Sequence, residues 1–398
     1  QLRAGRPDRR HRQAHPGETY DFSGDVRFAA GQAADEVWLS LANTASGTTT
    51  YTTLGKFAVT NSGWTHVDQQ FTMPSGDSAQ LYLETKYSSS GTGNTSDMLF
   101  DNLQVEHVDV EVQNLTPIKD TLPFPVGAAV SDPQISGAAG QLLAKHFDQV
   151  TPENTMKPES WYDDDGNFVT SNPSADALMT YAHDNGMRLY GHNLAWYQQT
   201  PAWFFNVSPT DDTPLGDSEA DKQILRDRLK QHIDDVAAYL SQPKFGKFGS
   251  ATNPLVSFDV VNEAVSDNVG DPEGLRQSRW YQVLGSEYIE DAFNDADQAF
   301  NHTYAADGTD RPIALFYNDY NTEQAGKRQR TLDLINRLIA DDVPIDGIGH
   351  QFHVTLSTPV SNLRAAIERS STSTPPPRRA VTSCSRPSPS SMSRPAPR

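Results

Sequence analysis

Val256-Ser257-Phe258-Asp259-Val260-Val261-Asn262-Glu263-Ala264 is the stretch on which the fold turns. It opens as a short apolar run, the signature of a strand buried in a core. A parallel strand flanked by helices is buried on both faces, which suits a run this continuous. It closes on Asn262-Glu263, two polar side chains placed where the strand leaves the core. An acid there has no packing role, and α/β barrels keep their chemistry at the carboxyl ends of their strands. A carboxyl held against apolar walls keeps its proton to higher pH, as a general acid must. The plain alternative is a Glu that caps the next loop or pairs with an Arg, and the other strand ends bear on that choice.

Outward from this stretch, strands and helices alternate. Phe124–Val130 reads as a strand, Ser136–His146 as a helix and Phe147–Val150 as a strand. Ser174–Asn185 has apolar residues at helical spacing and is closed by Gly186. Arg188–His192 is a strand, and Asp221–Leu240 is a long helix with Ile224, Leu225, Leu229, Ile233, Val236 and Leu240 in one stripe. Strand 256–261, helix 288–300, strand 313–317, helix 327–340, strand Ile345–Val354 and helix 359–369 follow. Regular alternation implies a parallel sheet with right-handed crossovers. No Gly-rich phosphate loop opens the series, which favours the closed TIM (β/α)8 barrel over an open sheet.

Residues 16–108 differ. Short runs such as Val37–Leu41, Lys56–Val59, Gln80–Glu84 and Met98–Asp101 are separated by Gly, Ser, Asn and Thr. That pattern predicts an all-β sandwich. Within Leu81-Tyr82-Leu83-Glu84, period two puts Tyr82 and Glu84 on the face opposite the leucines. An aromatic beside an acid can stack on a sugar ring and bond its hydroxyls; on pattern alone, surface decoration is the simpler reading. Residues 109–123 are a linker or a leading strand.

The 398-residue chain has mean hydropathy −0.60 and 36% hydrophobic residues, so a globular, water-soluble protein is expected. No run of apolar residues reaches membrane-spanning length. Net charge −19 argues against a nucleic-acid partner, which would need basic patches. The charge is uneven: residues 1–15 carry five Arg and one Asp, residues 375–398 carry five Arg and no acid, and 22 basic against 50 acidic residues remain between. Cys384 is the only cysteine, so there is no intrachain disulfide and no cysteine metal site. A secreted monomer without cofactor is expected, although no signal peptide is visible.

The residues after each strand are polar, aromatic and grouped: Glu153, Asn154 and Lys157; His192, Trp196, Gln199 and Trp203; Asn262 and Glu263; Asn318 to Asn321; Gln351 and His353. Singly each has a dull explanation, such as a core histidine or a packed indole. Together at five strand ends, amides, imidazoles, indoles and carboxylates describe a polysaccharide cleft. No Cys/His cluster or HExxH motif suggests a metal, and no Gly-x-Ser-x-Gly elbow suggests a serine hydrolase.

Two resemblances follow. Pro16–Tyr20, Asp25-Val26-Arg27-Phe28, Ser62-Gly63-Trp64-Thr65, Leu81–Glu84 and Phe100-Asp101-Asn102-Leu103 resemble the family 22 xylan-binding carbohydrate modules. That implies a sandwich that binds xylan, with Tyr82 and Glu84 matching the family's tyrosine and glutamate and Arg27 its arginine. The family's cleft tryptophan is not placed; Tyr51 is the nearest stand-in.

Glu153-Asn154-x-x-Lys157, Gly191-His192-x-x-x-Trp196, Asp259–Ala264, Asn318–Asn321 and Ile345 through His353 resemble glycoside hydrolase family 10, the retaining endo-1,4-β-xylanases, over residues 124–370. The resemblance implies a TIM barrel with Glu263 as acid/base and Asn262 as the amide that bonds the sugar 2-hydroxyl. Glu153, Asn154, Lys157, His192, Trp196 and Gln199 match the residues of the non-reducing-side subsites, and Tyr320, Gln351 and His353 match groups around the nucleophile. Tyr197 stands where a His is usual and Phe258 where a Trp is usual. A retaining β-glucanase on the same barrel is the neighbouring alternative.

The resemblance then breaks. A retaining glycosidase needs two carboxylates about 5–5.5 Å apart. The family's nucleophile is a Glu at the end of the seventh strand, and this sequence holds no acid after Glu368. Residues 371–398 turn to Ser, Pro and Arg, so a disordered tail and a barrel incomplete at its C-terminus are expected. An out-of-frame reading of a GC-rich gene explains the switch, and residues 1–15, also expected to be disordered, share its bias. A natural tail on a degenerate enzyme is the alternative.

Overall fold

A computed structural model describes residues 16–45, 48–74, 76, 78–86, 97–109 and 111–373. Both expected disordered ends, residues 1–15 and the tail from 374 onward, lie outside the described residues. The chain divides into two compact units, residues 1–153 with 173–187, and residues 154–172 with 188–398.

In the first unit, β1 (Thr19–Phe28) alternates strictly, with Tyr20, Phe22, Val26 and Phe28 inward and Asp21, Ser23, Asp25 and Arg27 outward. It lies between β4 (Thr65–Thr72) and β6 (Met98–Val108), while β2 (Asp35–Ala45) lies between β3 (Thr48–Val59) and β5 (Ser78–Thr85), all antiparallel. Val26, Phe28, Val37, Leu39 and Val67 are fully buried in the core of this sandwich. β4 carries only Val67 and Phe71 as buried residues, too sparse a pattern to be read as a strand in advance.

After the sandwich, the described residues of 109–123 form no strand; the one regular element among them is a single 3₁₀ turn, Ile118–Asp120. Lys119 Nζ donates to Ala144 O (2.7 Å) and Phe147 O (3.3 Å), capping the carbonyl end of α1 (Gly137–His146). β7 (Gly127–Val130) and β8 (Gln149–Pro152) pair in parallel, and α2 (Pro173–Asp184) completes the unit. β7 starts later than the apolar run because Pro125 has no N–H to give a ladder.

The second unit contains β9 (Arg188–Trp196), a short hairpin β10 (Asn206–Ser208) and β11 (Asp211–Pro214), α3 (Glu219–Leu240), β12 (Leu255–Asn262), α4 (Arg279–Leu284), α5 (Glu287–Ala296), β13 (Ala314–Tyr320), α6 (Ala325–Ala340), β14 (Gly347–Gln351) and α7 (Val360–Ser373). β9, β12, β13 and β14 pair in that order, all parallel. Ser218 caps α3 by accepting from Asp221 N (3.2 Å), and Leu225, Leu229, Ile233, Val236 and Leu240 are buried along one side. Gly191 on β9 has no Cβ because the Phe258 ring of β12 fills that space. Other boundaries move too: β9 runs on to Trp196 where Arg188–His192 was expected, and β14 keeps only Gly347–Gln351 of the expected Ile345–Val354. α5 passes into a wider turn over Asp297–Thr303. α7 runs through Ser373, so the tail expected from residue 371 begins inside a helix, where Ser371 Oγ bonds Glu368 O at 2.8 Å.

Candidate active site

The backbone of β12 ends with Glu263 in the left-handed region, φ +59°. A non-glycine residue holds that conformation only where its surroundings fix it. Here its N–H donates to Asn318 O of β13 (2.8 Å) and its carbonyl accepts from Arg276 Nε (3.1 Å). The side chain is 7% exposed. Its two carboxyl oxygens have separate donors: Trp196 Nε1 reaches Oε2 at 2.9 Å and Gln351 Nε2 reaches Oε1 at 3.1 Å. Thus the ends of β9, β12 and β14 converge on one carboxyl group. Asn262, 2% exposed, meets the Gln351 amide at 2.9 Å; its own amide can turn so that Oδ1 accepts from Trp196 Nε1 at 3.2 Å. His353 Nε2 lies 3.1 Å from Gln351 Oε1.

Beside this group, Lys157 Nζ donates to Asn154 Oδ1 and Gln199 Oε1, each at 2.9 Å, and stands 5.1 Å from the centre of the Trp196 ring. Three of the expected subsite residues therefore form one polar shelf over the indole of a fourth, Trp196. His192 is set by a buried acid: its Nδ1 is 2.7 Å from Asp259 Oδ2. Tyr190 OH (2.6 Å) and Asn318 Nδ2 (3.0 Å) donate to the same carboxylate. Burial and the adjacent Asp259 hold the Tyr190 phenol far above its ordinary range, so it stays a donor. Glu153 belongs to the first unit, exposed one residue past β8, with its N–H on Val130 O (3.0 Å).

Tyr320 stands in a further cluster. Its hydroxyl bonds Asp267 and accepts from Arg276 at 2.8 Å, and burial with Asp267 beside it pushes the phenol up to about 12. Arg276 stacks over the Tyr197 ring, 4.3 Å from its centre. Lys327, 2% exposed, donates to Val265 O (2.7 Å) and reaches Asp319 (3.1 Å) and Asp267 (3.2 Å). Burial holds the Asp319 carboxyl up at about 6 against the pull of Lys327.

In the first unit, Tyr82 lines a groove on the outer face of β3, β2 and β5, together with Tyr51, Ser78, Gln80 and Thr44. Glu84, next along the same face of β5, accepts from Ser40 Oγ at 2.5 Å. Tyr51 is 72% exposed. Arg27 is placed elsewhere, on β1 of the other sheet, stacked 4.7 Å over the exposed Trp64 ring.

Five charged residues of these clusters were given no individual role from sequence: Asp259 and Asp319, which stood only within longer motifs, and Asp267, Arg276 and Lys327. Two carried a signal. Asp259 and Asp319 interrupt apolar strands, where a charge needs partners to be buried. The three others sit on loops and helices with no distinguishing pattern. Among the described residues, no group of three or more His, Cys, Asp or Glu side chains could hold a metal ion, and no helix is long and apolar enough to cross a membrane.

Parallel strands with intervening helices, and a buried carboxyl ringed by indole and amide donors at the strand ends, define a TIM-type barrel with its site at the carboxyl face. Residues 117–376 match the profile of Glycosyl hydrolase family 10, and the chain belongs to that family. Residues 13–92 match a Carbohydrate binding domain. Endo-1,4-beta-xylanase A of Thermoanaerobacterium saccharolyticum is 34% identical over 369 residues, covering 89% of this chain and 29% of that protein. Exoglucanase XynX of Acetivibrio thermocellus is 33% identical, covering 89% of this chain and 32% of its own length. The chain thus spans about a third of the length of these relatives. The crystal structure of TsXylA, described as an intracellular xylanase from T. saccharolyticum, superposes with a TM-score of 0.55 at 37% identity, covering 66% of this chain and 74% of that one. Xylanase B from Clostridium stercorarium F9 gives 0.56 at 33% identity, covering 65% and 71%.

Proposed function

We propose that the chain derives from a secreted, modular endo-1,4-β-xylanase that hydrolyses xylan with retention, Glu263 being the acid/base. The observation that carries this reading is the Glu263 carboxyl, buried and held by Trp196 and Gln351 beside Asn262. In the double displacement that such a site supports, Glu263 protonates the leaving glycosidic oxygen while a second carboxylate attacks the anomeric carbon; Glu263 then deprotonates the water that releases the sugar. The Trp196 and Gln351 donors hold both carboxyl oxygens and so fix the orientation of the carboxyl. The shelf of Asn154, Lys157, Gln199 and Trp196 offers donors to sugar hydroxyls and a face for a sugar ring. Tyr82 and Glu84 are our candidates for xylan binding by the sandwich, with Tyr51 on the Tyr82 groove; Arg27, on the other sheet, does not share that face.

The second carboxylate has no counterpart in these 398 residues. The last acid, Glu368, lies on α7 beside Arg364 at 3.9 Å. Loss of a nucleophile costs many orders of magnitude in rate, so the chain as given releases little or no sugar from xylan. Reducing-sugar release, measured beside Glu263→Gln, tests this. Activity present in the parent and lost in the variant means that another carboxylate serves as nucleophile. Added formate or azide, small enough to attack in place of the missing group, restores cleavage of aryl β-xylobiosides if the acid half is intact.

A second reading, a non-catalytic xylan-binding protein, draws on the exposed groove of Tyr51 and Tyr82. Retention on insoluble xylan without sugar release, and with no cleavage restored by formate or azide, supports it. Because one relative is named an exoglucanase, cellulose and mixed-linkage glucan belong in the same comparison.

A further inference from the structure

We infer that Arg276 is the positioning residue for Glu263, and that it acts by clamping the strained backbone from which the carboxyl hangs. The inference rests on Glu263 being the acid/base, but its geometry stands by itself. Glu263 has φ +59°, a conformation that an L-residue with a long side chain does not hold unaided. Its peptide groups are therefore the place to look for what holds it. The N–H side is fixed by sheet continuity, through Asn318 O at 2.8 Å. Among the described residues, the carbonyl side has one side-chain partner, Arg276 Nε at 3.1 Å.

Arg276 is thirteen residues further on, yet the chain is built to return it. Val265 and Leu275 form an antiparallel bridge, Arg276 N donates to Ala264 O (2.8 Å), and Ser266 N donates to Gly274 O (2.9 Å). The loop so closed is tied to α6: Lys327 Nζ holds Val265 O at 2.7 Å, and Arg330 holds Ser266 O through Nη2 at 2.8 Å and Nε at 3.1 Å. The guanidinium is itself immobilised. Nη2 donates to Tyr320 OH at 2.8 Å, Asp267 lies 3.7 Å away, and the plane stacks on Tyr197 at 4.3 Å. A planar fork with donors on two edges is needed to bond a carbonyl and a phenol at once while lying on a ring. A lysine supplies the charge and not the fork. Tyr197 thereby gains a role as the platform under the clamp.

The consequence reaches the carboxyl. Trp196 Nε1 and Gln351 Nε2 meet the two oxygens only while the Glu263 backbone keeps its turn. Release of the carbonyl lets the residue relax toward negative φ, which swings the side chain off the indole.

The indole N–H of Trp196 reports this without any turnover, so the test stands whether or not the chain hydrolyses xylan. In the proton–nitrogen NMR spectrum of the full chain, the six tryptophans give six indole signals, and Trp196→Phe identifies one. A hydrogen bond to a carboxylate moves that proton downfield, and Glu263→Ala abolishes the shift. The expected result is that Arg276→Met abolishes it too, leaving the five other indoles in place, and that Arg276→Lys fails to restore it. Should Arg276→Met not fold, Arg276→Lys together with Tyr320→Phe, which removes one anchor of the fork, decides the question. A folded Arg276→Met or Arg276→Lys variant with the Trp196 signal unmoved overturns the proposal. So does a Glu263→Ala variant that leaves it unmoved, because the carboxyl is then not where the clamp would put it. Failure of the hydrolase reading shows instead as a chain whose indole signals behave as expected but which releases no aryl leaving group with formate.

Discussion

Lys327→Met should destabilise the second unit strongly at about pH 8 and only weakly at about pH 5. Lys327 is 2% exposed and its ammonium lies 3.1 Å from Asp319, a carboxyl with no exposed surface. In the folded chain the Asp319 carboxyl stands at about 6, raised by burial and pulled down by Lys327, against 3.8 ordinarily. The folded chain therefore holds that proton more tightly than the unfolded chain. The stability Asp319 contributes is fully present below about pH 4 and is lost as pH rises through about 6, a swing of about 3 kcal/mol for two pKa units. Removing the cation pushes the carboxyl further up. At about pH 8 the variant must bury an unpaired carboxylate or take up a proton against the solvent, and breaking a buried pair on one side costs about 3–5 kcal/mol. At about pH 5 the Asp319 carboxyl is already mostly neutral, and the loss falls to about 1–2 kcal/mol for the bond to Val265 O with the partly exposed Asp267 pair. Urea unfolding followed by tryptophan fluorescence at both pH values measures the difference. Equal losses at the two pH values, or no loss at about pH 8, would refute the reasoning. Replacing both partners, Lys327→Met with Asp319→Leu, should recover part of the stability and remove this pH dependence, because no buried carboxylate is left without its cation, although Tyr317 OH, Val265 N and Tyr320 N lose the acceptor that Asp319 gave them.

Three further outcomes follow from the same geometry. Asp259→Asn removes the charge that Tyr190, His192 and Asn318 all address, and should cost about 2–4 kcal/mol of unfolding free energy and weaken xylo-oligosaccharide binding as His192 loses its fixed tautomer, measured by unfolding and calorimetry. Gly191→Ala sets a methyl against the Phe258 ring and should destabilise by about 1–3 kcal/mol, lowering the midpoint of thermal unfolding; a neutral result would mean that β9 and β12 can separate freely. Tyr82→Ala should weaken retention on insoluble xylan by about tenfold, roughly the 1.4 kcal/mol of one stacked ring, while unfolding of the barrel is unchanged; full retention would remove Tyr82 from the binding face.

What the sequence disclosed and what it withheld separate along one physical line. Elements with a dense periodic pattern were legible: the stripe of α3 and the apolar run of β12 announce their burial residue by residue. β4 was not, since two buried residues in eight leave its pairing with β1 to carry the strand, and pairing leaves no mark on composition. The same division runs through the site. Glu263, Asn262, Trp196 and Gln351 could be proposed together because each follows a strand, and a barrel gathers strand ends whatever lies between them. Arg276, Lys327 and Asp267 could not, because what places them is a loop folded back on itself and a helix crossing behind it. Their signature is a set of single hydrogen bonds between residues far apart in the chain, such as Lys327 to Val265 and Arg276 to Glu263. Yet it is this unannounced layer that fixes the left-handed turn at Glu263. Strand periodicity delivers a carboxyl to the mouth of the barrel, and the Arg276 bond to its backbone carbonyl decides where that carboxyl points.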